Sequence, residues 1–70
     1  MDISHLTKIL HKFITAMHVA GEISLIRKNQ LLYILNKKNY EMFQIAETFD
    51  LNNDIYEFKE SLLGLLNRNL

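Results

Sequence analysis

The chain has 70 residues, of which 49% are hydrophobic, so it is expected to hold one core and to form a single domain over residues 1–70. It contains no cysteine, which excludes a disulfide framework and a thiolate zinc site. Eight basic and eight acidic residues give a net charge of zero, which excludes the overall positive field by which many nucleic-acid-binding proteins attract phosphates.

The first predicted helix covers residues 2–20. Its apolar residues recur at alternating spacings of three and four, which indicates an amphipathic helix. They are Ile3, Leu6, Leu10, Phe13, Met17 and Ala20. Asp2 or Ser4 is predicted to cap the start of this helix, and Gly21 is predicted to end it in the left-handed conformation.

Two shorter helices follow, over residues 25–37 and 40–49. Ser24 and Asn39 are the predicted N-caps, because their side chains accept hydrogen bonds from free backbone N–H groups. The first of the two carries the apolar residues Leu25, Leu31, Leu32, Ile34 and Leu35. The second turns Met42, Ile45, Ala46 and Phe49 inward.

The run from Asp50 to Asp54 is the strongest turn signal, since Asp and Asn side chains bond to their own backbone. A last helix is predicted over residues 54–68, with Asp54 and Glu57 as an acidic variant of the capping box. One face of this helix is formed by Ile55, Phe58, Leu62 and Leu65, and beside it lie Leu63, Leu66 and Leu70. The sequence therefore predicts an all-α domain of four helices.

The charges are divided between the two halves of the chain. Residues 1–38 hold six basic and two acidic residues, a net +4, and residues 39–70 hold two basic and six acidic residues, a net −4. Two interpretations remain open: weak attraction between the halves of one bundle, or a bipolar surface that docks complementary partners.

The run Gln44–Asn52, with its Ile45-Ala46 pair, resembles the first helix and turn of helix-turn-helix and winged-helix regulators. In this resemblance residues 31–35 belong to the supporting helix, and the positions of the second helix and its exit are taken by Phe58, Leu62, Leu65 and Leu70. The resemblance implies a helix-turn-helix-like C-terminal unit over residues 31–70 and a transcriptional regulator that binds DNA. The turn is about two residues longer than is usual in the family, and no strand pair follows to form a wing.

Acidic residues on the last helix disfavour DNA binding through it, because Asp54, Glu57 and Glu60 would repel phosphates. If DNA is bound, phosphate contacts are predicted for Lys8, Lys12, Arg27, Lys28, Lys37 and Lys38, and base contacts for Asn52 and Asn53. Turn and cap roles also explain the two asparagines.

The run Phe49–Asp54 also resembles the start of an EF-hand calcium loop, with Glu60 in place of the last carboxylate and residues 20–24 similar to the middle of a partner loop. The glycine that should follow the third ligand is replaced by Ile55. The ligand set is therefore incomplete. This alternative implies an EF-hand-like interaction module that binds no calcium.

The sequence lacks the residue patterns that metal binding, nucleophilic catalysis and phosphate binding need. His5, His11 and His18 are spaced by six and seven, not by the four typical of helical metal ligands, and they are interpreted as partly exposed polar residues. No nucleophile elbow or phosphate-binding glycine loop occurs. We therefore expect no enzyme activity, no metal and no cofactor.

The predicted function is that of a small regulatory or adaptor protein, because the apolar faces of the first and last helices exceed what so small a fold can bury. It is expected to bind a protein partner, or itself as a homodimer, through Phe13, Met17, Tyr56, Leu63 and Leu66. No apolar run approaches the ~18 residues that cross a bilayer, and no signal peptide is recognisable. A soluble, cytoplasmic protein without a membrane partner is expected.

Overall fold

A computed structural model describes residues 3–69, and these residues form four helices and no strand. The helices are α1 (Ile3–Val19), α2 (Leu25–Asn36), α3 (Tyr40–Thr48) and α4 (Ile55–Arg68). Each begins and ends close to its predicted bounds, so the all-α, four-helix prediction is confirmed. The chain divides into two compact units, residues 1–39 and 40–70. The single-domain interpretation and the helix-turn-helix-like grouping of the last three helices stay predictions.

The first unit is a helical hairpin in which α1 packs against α2. Its buried apolar residues are Leu6, Leu10, Ile14, Met17, Ile23, Leu31, Ile34 and Leu35. Ile14 was missing from the predicted inward set of α1, yet it is 0% exposed. The buried face is centred closer to Ile14 than to Phe13, which is half-buried. Ile3 and Ala20, at the two ends of the predicted stripe, are exposed.

The link between α1 and α2 is closed by backbone hydrogen bonds. Gly21 has φ +77°, and its N–H donates to the carbonyl of His18 at 3.0 Å while the N–H of Glu22 donates to that of Met17 at 2.9 Å. These two bonds form a Schellman motif, which satisfies carbonyls that the end of a helix leaves free. The predicted end of the first helix at Gly21 is confirmed.

Two further contacts fix the start of α2. The Ser24 hydroxyl accepts a hydrogen bond from the N–H of Arg27 at 3.2 Å, which confirms Ser24 as the N-cap. His18 Nδ1 lies 3.2 Å from the carbonyl oxygen of Ile23. Because a carbonyl oxygen only accepts, the ring nitrogen donates in this bond. The link is therefore held from both helices.

The second unit consists of α3 packed against α4. Its buried residues are Met42, Phe43, Ala46, Phe58, Leu62, Leu65 and Leu66. The Phe49 and Phe58 rings meet edge to face, with centroids 6.1 Å apart, a preferred arrangement of aromatic quadrupoles. Ile45 and Phe49 are half-buried, and Ile55 is 46% exposed.

Asp50 organises the link between α3 and α4, as the turn signal predicts. Its Oδ1 accepts from the N–H of Asn52 at 3.0 Å, and its Oδ2 accepts from the Asn53 side-chain amide at 2.6 Å. Its carbonyl oxygen accepts from the N–H of Asp54 at 2.7 Å. One side chain and one carbonyl thus satisfy several donors of the turn.

Three other predicted caps are not confirmed. Ser4 lies inside α1 rather than before it, and Asp2, like Leu70, lies outside the described residues. The acidic capping box is wrong, because Asp54 makes no side-chain cap hydrogen bond. Its ψ of 26° differs from the extended conformation in which a capping side chain reaches back to the helix.

Candidate interaction surface

Large apolar side chains remain exposed at several places among residues 3–69. They are Ile3, Val19, Leu25, Ile26, Tyr33, Tyr40, Ile55 and Tyr56. Single exposed apolar residues are normal on protein surfaces, whereas a contiguous group indicates binding. Exposed residues that share one helix face therefore mark the candidate binding surfaces.

Three of them lie on α2, on the side opposite its buried residues. Leu25, Ile26 and Tyr33 are 55%, 71% and 59% exposed. At 100° per residue they share a side of the helix with Asn29 and Asn36, which are also exposed. We call these five residues the α2 outer face. It carries no charged side chain.

Basic residues border the α2 outer face. Lys28 lies beside Leu25 at one edge of this face, and Lys37 and Lys38 follow the last residue of α2. Arg27 lies instead on the side of the buried Leu31, one turn away. The Lys37 ammonium lies 4.4 Å from the centre of the Tyr33 ring, within the range of a cation–π interaction. The surface is therefore uncharged in its middle and cationic at its margins.

A second exposed stripe lies on α4. Tyr56, Glu60, Leu63 and Asn67 follow one another at spacings of four, three and four, so they share one side of the helix. Tyr56 is 69% exposed, and Leu63 is half-buried. We call these four residues the α4 stripe. It combines apolar contact area with the Glu60 carboxylate, and Glu57 is exposed one turn before Glu60.

Two of the five predicted contact residues are buried. Met17 is 3% exposed and Leu66 is 0% exposed, so the prediction that both are available to a partner is wrong. Their side chains belong to the core because Met17 continues the buried stripe of Leu10, and Leu66 follows the buried Leu62 by one helical turn. Phe13 is half-buried, while Tyr56 and Leu63 lie together on the α4 stripe.

The predicted phosphate contacts are mostly at the surface. Lys8, Lys12, Arg27, Lys37 and Lys38 are exposed, and Lys28 is half-buried. Lys8 and Lys12 are one helical turn apart on α1, so they share a face. Asn52 and Asn53, the predicted base contacts, are exposed, and both donate hydrogen bonds to the Asp50 carboxylate. The same carboxylate belongs to the segment that resembles a calcium loop.

Two of the shallow grooves among the described residues each lie within one unit. One, of about 460 Å³, runs along α1 and is lined by His11, Lys12, Thr15, Ala16, Val19 and Ala20. The Thr15 hydroxyl is buried beside it and finds no hydrogen-bond partner within residues 3–69. The other, of about 360 Å³, lies in the second unit and is lined by Glu41, Ile45, Ser61, Gly64 and Arg68. Neither brings together the convergent polar groups that typify a small-molecule site.

Metal-ligating side chains do not gather in the part of the chain that the structure describes. No group of three His, Asp or Glu residues there is arranged to hold a metal ion. His5 and His11 are exposed, and His18 is half-buried and bonded to the α1–α2 link. Across residues 3–69, every helix is too short or too polar to cross a bilayer.

The sequence did contain a signal for the α2 outer face. Residues 25, 26 and 33 are apolar, and positions 29 and 36 between and after them are uncharged amides. The apolar residues Leu31, Ile34 and Leu35 occupy the opposite side, so α2 is apolar on two sides. The search for one amphipathic stripe per helix overlooks such a pattern.

Comparison of the chain with protein-family models, curated proteins and solved structures gave no match.

Proposed function

We propose that the chain is a small non-enzymatic regulatory or adaptor protein that binds another protein or a second copy of itself. The observation that carries this proposal is the α2 outer face, where Leu25, Ile26 and Tyr33 are each more than half exposed. Burying one such side chain stabilises a complex by about 1.5–3 kcal/mol. Binding is therefore centred on α2 and the α4 stripe, rather than on α1 and α4.

The composition of the α2 outer face also fits a protein partner. Tyrosine is enriched in the centres of protein interfaces and charged residues are depleted there. The amide groups of Asn29 and Asn36 donate and accept hydrogen bonds without the desolvation cost of a charge. A cationic margin around such a centre corresponds to the polar rim of an interface.

A site-specific crosslinking experiment tests the proposal. A photoreactive phenylalanine analogue replaces Ile26 in cells of the organism that encodes the protein, and the same analogue replaces His5, an exposed residue at the start of α1, as the matched control. The expected result is a discrete crosslinked species from position 26 that position 5 does not give. Equal, diffuse labelling from the two positions overturns the proposal.

A further inference from the structure

We propose that the α2 outer face of one copy binds the α4 stripe of a second copy of this chain. This inference rests on the proposed function, because it names the occupant of the same α2 surface. It requires two complementary surfaces on each molecule. One is uncharged with cationic margins, and the other is apolar with carboxylates beside it.

The distribution of charge supports a second copy as the occupant. The boundary between the two units falls after Asn39, where the charge of the chain changes sign. The first unit holds six basic residues against two acidic ones, and the second holds two basic residues against six acidic ones. Each unit of one copy is thus complementary in charge to the other unit of a second copy, which favours encounter in that orientation.

The side chains of the two surfaces also match in type. Tyr56, 69% exposed, and Leu63 offer the α2 outer face an aromatic and an aliphatic group. Glu57 and Glu60 lie beside them, where the cations that border α2 would meet carboxylates. Helix faces that pack with residues spaced by three and four interlock in this way. An unrelated partner needs the same combination of apolar side chains beside carboxylates, and a second copy of this chain already carries it on the α4 stripe.

Association is also expected on grounds of size. A chain of 70 residues buries a smaller fraction of its surface than a larger domain does, and oligomerisation is a common means of stabilising such folds. A second copy covers Ile26 and Tyr33 without any other component.

The first test measures self-association by sedimentation equilibrium at up to about 100 µM, in the range where weak dimers form. Ile26→Ser should weaken the association about 10- to 100-fold, because an anchor residue is lost. Val19→Ser is the matched control, since Val19 is 80% exposed but lies on α1, and it should leave the association unchanged. Raising NaCl from about 50 to 500 mM should weaken the wild type about tenfold.

The second test exchanges charges between the two surfaces. The basic side is reversed in Lys28→Glu/Lys37→Glu, and the acidic side is reversed in Glu57→Lys/Glu60→Lys. Each variant alone should associate about tenfold more weakly, since like charges then face each other. An equimolar mixture of the two should recover the wild-type association, because each reversed surface finds a reversed partner on the other chain. Helical circular dichroism checks that both variants fold.

The outcomes separate this inference from the proposed function. A strictly monomeric wild type, or a mixture that does not recover association, overturns the second copy as occupant. If a crosslink from position 26 then contains a different protein, the proposed function stands without self-association. If the chain does not self-associate but binds a labelled DNA duplex in a salt-sensitive manner, this inference is overturned in favour of a DNA-binding helix-turn-helix regulator.

Discussion

The two helical hairpins have the same architecture but close their links by different means. Between α1 and α2, Gly21 adopts φ +77° and backbone groups bond to each other. Between α3 and α4, the Asp50 carboxylate accepts from the backbone of Asn52 and the side chain of Asn53. A helix end can therefore be satisfied by a backbone conformation that glycine favours or by a short polar side chain.

The two hairpins also differ in what they show to the surroundings. The first is basic and exposes an uncharged face on α2, whereas the second is acidic and exposes Tyr56 and Leu63 beside Glu60. Four apolar residues of α4 are buried, against three of α2. The proposed contact surface on α2 therefore belongs to a basic hairpin and the one on α4 to an acidic hairpin. This difference in charge favours binding between copies.

The largest expected effect comes from the two cores. Phe58→Ala in the second hairpin removes a fully buried ring and should reduce the free energy of unfolding by about 3–5 kcal/mol. Leu10→Ala in the first, also fully buried, should cost about 2–5 kcal/mol. Urea denaturation followed by circular dichroism measures both. Tyr56→Ala is the control on α4 because its side chain is 69% exposed, and a comparable loss there would contradict the assignment of the stability to the buried residues.

A smaller effect is expected at the links. Gly21→Ala places a Cβ in the left-handed region and should cost about 1–2 kcal/mol, although no neighbouring atom lies within 4 Å of the added carbon. Asp50→Ala removes two hydrogen bonds from an exposed turn and should cost about 1 kcal/mol. Thermal unfolding compares the two variants. If Asp50→Ala is the more damaging, the side-chain link is the stronger of the two.

The smallest expected effect has the opposite sign and occurs at Gly64, inside α4. A Cβ at this position meets no atom within 4 Å, and its φ is not in the left-handed region. Gly64→Ala should therefore raise the stability by about 0.5–1 kcal/mol, because alanine has the higher helix propensity. Lys38→Gly in the first hairpin is the counterpart, since Lys38 has φ 56°, and glycine there should also stabilise. A loss of stability in either variant would contradict the local explanation.

Much of the fold could be predicted from the sequence because it depends on local chemistry. Ser24 caps α2 and Gly21 ends α1 through bonds that span only a few residues, so the residue type predicts the structure. The Asp50–Asp54 turn is of the same kind. The capping box failed because Asp54 has a ψ of 26° and not the extended conformation of a capping residue.

The candidate surface was harder to predict from the sequence. Apolar periodicity predicted the inward sides of α1 and α4, with Met17 on the first and Phe58 and Leu62 on the second. The apparent excess of apolar surface then led to the assignment of Met17 and Leu66 to a contact surface, although both are buried. The exposed group on α2 was overlooked because Leu25 and Ile26 look like core residues when composition alone is considered. Exposure depends on which side of a helix its neighbour covers, and residue type does not encode that.

By itself the sequence determined the number of helices, their approximate ends, the links between them and the opposite charges of the two halves, because each follows from residues close together in the chain. Only the tertiary structure decided which apolar side chains are covered. Burial results from the packing of α1 on α2 and of α3 on α4, and a helix that is apolar on two sides, as α2 is, can be oriented only by its packed neighbour.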